Sequence, residues 1–256
     1  MRLKRLARVF RDKRTSARIA LILSILSTIV GLFLAGINPL FLPLIQTLAI
    51  YPFYIFDIRH VWTKRAVNKV LLWALGATIT MIVISYFMTD SISPLIIQGE
   101  RYKLEMFSWI KTGVGPEGDI NLFLYPKIKE LAIFSLLTLV TLGFGGLFLG
   151  AILLNYMNYY VGCLLTYARP DVISVALAIL MSWPIYAVIR VIGYVNLGVA
   201  LTMLPESILF RHKLDKGKFY RRLKVAIVCI SLDFILKATI ANMIYRPVLY
   251  HVTRIP

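Results

Sequence analysis

Residues 19–56 read IALILSILSTIVGLFLAGINPLFLPLIQTLAIYPFYIF, with no charged side chain anywhere in the run. A hydrocarbon core of roughly 30 Å is spanned by about 20 helical residues, so this stretch is nearly two crossings long. Asn38-Pro39 and Pro43 interrupt it and predict a tight helical hairpin with its turn near Asn38 to Pro43. The second limb closes on Tyr51, Phe53, Tyr54 and Phe56, aromatics of the kind that sit where headgroups meet hydrocarbon. A second uncharged run extends from Leu131 to Ala168. The mean hydropathy of the chain is +0.77, and a water-soluble domain exposing that much apolar surface would aggregate. The ten-residue alternation of a lipid-facing barrel is missing. The reading is therefore all-α: a polytopic transmembrane helical bundle, multi-pass in the cell membrane.

Outward from this run, basic residues order the topology. Residues 1–18 hold eight Lys or Arg against Asp12, and as a helix they align Leu3, Leu6, Ala7 and Phe10 on one stripe. That describes a basic amphipathic interfacial helix, with Arg5, Arg8 and Arg11 on anionic lipid headgroups. Asp57 to Lys69 carries four more bases and Arg211 to Lys224 seven, whereas Asp90 to Glu130 has six acids and five bases. The positive-inside rule puts the first three segments and the N-terminus in the cytoplasm and 90–130 outside. Within the outer segment Tyr102, Met106, Trp109 and Ile110 fall at helical spacing, predicting a second helix on the membrane surface. A span from Val70 to about Met88, three crossings between 131 and 205 and a last one from Val225 to Tyr245 make about seven in all, six being the alternative. Residues 19–256 read as a single transmembrane domain.

Three charges fall inside expected spans: Arg190, Asp233 and Lys237. A charge near mid-bilayer costs at least about 2.5 kcal/mol, so such groups pair or face the bundle interior. Asp233 and Lys237, spaced i, i+4, are expected to pair on one helix face with Arg190 nearby. GFGGLFLG at 143–150 contains Gly143 and the Gly146-x-x-x-Gly150 spacing that lets helices approach closely. After it comes NYMNYY at 155–160; Asn155, Asn158, Tyr159 and Tyr160 read either as an interfacial turn or as the lining of a polar path. Cys163 and Cys229 lie far apart with no metal-type spacing, and His60, His212 and His251 sit in separate edges. No His-Glu-x-x-His, phosphate-binding glycine loop or Gly-x-Ser-x-Gly elbow occurs, so neither an enzyme, a metal nor a cofactor is expected. Glutamine is confined to Gln46 and Gln98 while Ile, Lys, Arg and Tyr abound, a usage pointing to a thermophile.

Arg221-Arg222-Leu223-Lys224 followed by VAIVCISLDFILKATIANMI, with Pro184, Gly193 and Gly198 upstream, resembles the closing segment of the stage II sporulation protein M family of polytopic membrane proteins. The Pro-His-Gly and Glu-Leu pattern of that family is absent around Trp183-Pro184-Ile185-Tyr186. The resemblance, over about 70 residues, implies a multi-span component of a larger membrane complex. The expected function is a non-enzymatic subunit of a translocation or transport complex, forming a conduit or gate powered by another subunit, a separate ATPase. A scaffold that recruits partners without conducting is the alternative. The net charge of +17 adds a third, a DNA channel subunit of a conjugation-like import system in a thermophilic archaeon, with nucleic acid as partner.

Overall fold

A computed structural model describes residues 13–210 and 213–255; of the interfacial helix expected at 1–18, residues 1–12, with Arg5, Arg8 and Arg11, lie outside them, and 13–18 begin the first helix. The described chain is all-α; its one strand-like feature is an isolated bridge between Ala168 and Thr253. The helices are α1 (Lys13–Ala35), α2 (Phe41–Arg59), α3 (Thr63–Phe87), α4 (Gly99–Thr112), α5 (Ile120–Val140), α6 (Phe144–Thr166), α7 (Val172–Ser182), α8 (Ile185–Leu209), α9 (Lys216–Ile240) and α10 (Arg246–Val252). A π-helical turn, Ala241–Tyr245, joins the last two.

Among the described residues five segments are long and apolar enough to cross a membrane: Ser16–Ala35, Phe41–Arg59, Thr63–Phe87, Phe144–Thr166 and Val172–Leu209, the last being α7 and α8 with a break at Trp183-Pro184. Phe33, Phe87, Leu136, Val140 and Ile208 stand fully out from the bundle, as side chains solvated by lipid do. The first hairpin turns where its prolines require: α1 stops at Ala35, and the Asn38 side chain accepts from the Leu40 amide before α2 begins.

Helix α6 is the hub, packing on α2, α3, α4, α5 and α7. Glycines let it do so. A Cβ at Gly162 would overlap Ser85 and the backbone of Ile82 and Tyr86, and one at Gly76 would overlap Ser24 of α1. These are close helix approaches of the small-residue kind, at positions other than the expected ones. Helices α8 and α9 form the most extensive pair, with Gly193 against Cys229 and Ile230.

Several boundaries differ from the sequence reading. The basic segment 57–69 is no loop: Asp57 lies in the last turn of α2, Lys64 to Lys69 lie in the first two turns of α3, and three residues connect the helices, because Asp57 and Lys69 pair at 2.8 Å and both are buried. NYMNYY is no turn but the middle of α6. The amphipathic helix α4 turns Met106, Trp109 and Ile110 onto α6 and α10 rather than onto lipid, and Trp109 Nε1 donates to Asn242. Helix α5 begins at Ile120, so Lys127 and Glu130 belong to the bundle rather than to an outer loop.

Candidate functional site: a buried ionic network between two cavities

Arg190 lies in the second turn of α8 and Asp233 near the end of α9. Nε and Nη2 of the guanidinium donate to the two carboxylate oxygens at 2.7 and 2.9 Å, a bidentate pair buried on both sides. Lys237, one turn beyond Asp233, does not pair with it. Its ammonium donates to Glu117 at 2.8 Å and sits 4.8 Å from the centre of the Phe123 ring. The expected i, i+4 bridge is thus replaced by two cross-links, because each group finds a partner of opposite charge on another element. Glu117 reaches this position from the loop between α4 and α5; Gly118, at φ +88°, supplies the left-handed turn that folds the loop inward. The Tyr186 hydroxyl donates to the other Glu117 oxygen at 2.9 Å. Burial works to raise Glu117, yet the charges of Lys237 and Arg190 and the two hydrogen bonds hold it below the usual carboxylate range.

Lys127 and Glu130 extend the network on α5. The ammonium donates to both carboxylate oxygens at 3.0 and 2.9 Å, and the Tyr194 hydroxyl to one of them at 2.8 Å. Three acids and three bases are therefore gathered, and their formal charges cancel. Neutrality with every group hydrogen-bonded is the condition under which ionised side chains persist in an apolar bundle. Sequence reading singled out Arg190, Asp233 and Lys237 but missed Glu117, Lys127 and Glu130. The adjacent i, i+3 Lys-Glu pair just before an apolar run is the signal that could have found the last two.

Two cavities meet at this network. The larger, of about 90 Å³, is lined by residues of α2, α3, α5, α6 and α8, from Tyr54 and Gly143 at one end to Lys127, Glu130 and Arg190 at the other. The smaller, of about 20 Å³, is lined by Glu117, Tyr102, Tyr160, Trp183 and Tyr186. Met157 and Arg190 belong to the walls of both and stand between them. Comparison with protein-family profiles, with curated proteins and with solved structures finds no match. The site is therefore read from its own geometry.

Tyr54 and Gly143 stand at the far end of the larger cavity. Tyr54 and Thr202 share a hydrogen bond of 2.7 Å across α2 and α8, and Gly143 fits against both. Beyond them a second set of charges ties α2 to α3, Asp57 with Lys69 at 2.8 Å and Arg65 at 3.8 Å, and α2 to α8, Arg59 with Glu206 at 3.9 Å. Arg222 of α9 donates to Asn196 and Thr63.

The other expected site residues part company. Asn155 exchanges two amide hydrogen bonds with Gln46, which also donates to Thr28. Asn158 donates to Thr78, and the Tyr159 hydroxyl to Glu100. Slight burial would raise Glu100, but Lys103, Ser93 and Tyr159 hold its carboxylate below the usual range. The Tyr160 hydroxyl has no hydrogen-bond partner among the described residues. Asn155, Asn158 and Tyr159 point to different neighbours of α6 and clamp the bundle, whereas Tyr160 lines the smaller cavity; Tyr156 and Met157, between them, face the larger one. Gly146 packs on Thr138 and Phe134 as expected, but a Cβ at Gly150 would meet nothing within 4 Å, so this glycine widens the cavity instead of packing a helix.

Proposed function

We propose that the chain is a non-enzymatic, seven-span subunit of a membrane translocation or transport complex, whose bundle encloses a conduit held shut at both ends by ionic closures. The observation that carries this reading is the larger cavity, with Arg190 and Met157 at one end and Tyr54–Thr202, backed by Asp57–Lys69, at the other. Buried ion pairs are poor sources of stability compared with apolar packing, but they are bistable elements, since their partners can exchange or separate as helices shift. The seven spans of the proposal are α1, α2, α3, α5, α6, α8 and α9. Helices α5 and α9 carry charge, but Lys127, Glu130, Asp233 and Lys237 are turned to the interior, which relieves the cost of taking them through lipid. Basic residues at the connections between α2 and α3 and between α8 and α9 support a cytoplasmic N-terminus. Energy for opening is assigned to a separate ATPase subunit.

The test uses Gly150→Cys in a background with Cys163 and Cys229 replaced by Ala. In the closed bundle the new thiol should resist a membrane-impermeant reagent. Removing the first closure with Arg190→Met and Asp233→Leu should make it reactive from the side of the α4–α5 loop; removing the second with Asp57→Asn and Lys69→Met should make it reactive from the opposite side. A pure scaffold would leave the thiol unreactive in both folded variants, and that result would overturn the conduit.

A further inference from the structure

We propose that the smaller cavity binds one ordered water molecule, held by the Trp183 indole N–H, the Tyr160 hydroxyl and the Glu117 carboxylate. The site stands whether or not the bundle conducts. Its walls come from three separate elements. Pro184 disfavours helical backbone at the residue before it, so α7 stops at Ser182 and Trp183 lines the cavity from the break before α8. Tyr160 lines it from α6, its ring held edge-on by Tyr102 at 5.7 Å and Phe107 at 6.2 Å. Glu117 reaches it from the loop between α4 and α5.

Trp183 Nε1 and the Tyr160 hydroxyl are both buried, and neither has a hydrogen-bond partner among the described residues. A buried polar group left unmet costs about as much as its desolvation, and in folded proteins such groups are met by protein or by ordered water. Two of them border one space. Glu117 accepts one bond on each oxygen, from Lys237 and from Tyr186, and each oxygen keeps a second lone pair. Trp183 can only donate, the ionised Glu117 can only accept, and Tyr160 does either, so the molecule between them must both donate and accept. Size narrows the choice. The cavity is about 20 Å³ and a water needs at least about 10–15 Å³, so the space takes one and not two. Charge narrows it further. The Trp183 N–H and the Arg190 guanidinium stand against a cation and the Glu117 carboxylate against an anion, and the six ionised groups of the network already cancel. A neutral molecule of water's size meets every condition. Bound there, it ties α6, the α4–α5 loop and the α7–α8 break to one another, a link that no direct hydrogen bond among these three side chains supplies.

The full chain, reconstituted in nanodiscs, is exposed to short X-ray pulses, which split water into hydroxyl radicals where it lies, and side-chain oxidation is mapped by mass spectrometry. Met106 is buried and borders the smaller cavity, whereas Met81 and Met203 are as buried and border neither cavity. Met106 should oxidise at least about tenfold faster than either. Tyr160→Phe keeps the ring and removes the hydroxyl, and the sign of its effect is decisive. If water meets the hydroxyl, the variant loses a hydrogen bond and its unfolding temperature should fall by about 2–4 °C. If the hydroxyl is orphaned, its removal relieves a cost, and an unfolding temperature that rises or stays level would overturn the proposal. Trp183→Phe should lower the unfolding temperature as well, and the double variant should lose less than the sum of the two, because both side chains act through one molecule. Additive losses would overturn a shared water, as would oxidation of Met106 no faster than that of Met81 and Met203. The oxidation readout needs no variant, so the test holds if either substitution fails to fold.

Discussion

Asp233 and Lys237 share one face of α9, as their spacing requires, and both are buried, yet each is bound to a charge from elsewhere in the chain. An i, i+4 pair on a helix contributes only about 0.2–0.5 kcal/mol, while a bidentate guanidinium–carboxylate pair in a dry interior is much stronger, so the cross-links win. The sequence brought both residues to attention because a charge in an apolar run is conspicuous. It left Glu117 unnoticed because that acid stands in a polar loop and meets Lys237 across 120 residues of chain. Double-mutant cycles separate the two arrangements. Coupling of about 1–3 kcal/mol is expected for Arg190 with Asp233 and for Lys237 with Glu117, and below about 0.5 kcal/mol for Asp233 with Lys237. Lys237→Met alone should cost about 3–5 kcal/mol in thermal or denaturant unfolding in detergent, because it strands the Glu117 carboxylate. Strong coupling between Asp233 and Lys237 would restore the intrahelical pair.

At the scale of elements, the three glycines near the start of α6 look alike in the sequence and do unlike things. Gly143 caps the α5–α6 turn at φ +87° and lies against Tyr54 and Thr202; Gly146 lies against α5; Gly150 faces space. Gly143→Ala should therefore destabilise the protein by at least about 1–2 kcal/mol from backbone strain alone. Gly150→Ala should stabilise it by about 0.5–1 kcal/mol, the usual gain of alanine over glycine within a helix. Thermal unfolding of the two variants in one detergent checks both signs, and a cost at Gly150 would mean that the helix packs there after all. Helix presence and the hairpin break at Asn38–Pro43 were legible because hydropathy and proline act locally. The starts of α3, α5 and α9 were not, since each carries in its first half charged residues that only a partner allows into the bundle: Lys69 on Asp57, Lys127 on Glu130, Arg222 on Asn196. For the same reason NYMNYY was misread, Asn155, Asn158 and Tyr159 finding partners in Gln46, Thr78 and Glu100.

For the molecule as a whole, the proposed orientation follows from the distribution of bases and is open to a direct check. In the cysteine-free background, Lys64→Cys and Lys216→Cys should be labelled by an impermeant thiol reagent only after the membrane is opened, and Glu105→Cys in intact cells. The reverse pattern would invert the topology. The apolar helices of membrane-spanning length were readable from the uncharged runs, whereas the candidate site was not, because a cavity is made by five helices and belongs to none of them. One property of the ionic network bears on what could open it. Moving one elementary charge across a membrane potential involves about 2.3 kcal/mol per 100 mV. Glu117, Glu130 and Asp233 balance Lys127, Arg190 and Lys237, so a displacement of these six side chains as a body transfers no net charge through the field. The membrane voltage has no handle on such a concerted movement, which must be driven by contact from a neighbouring subunit or from a molecule entering the cavity.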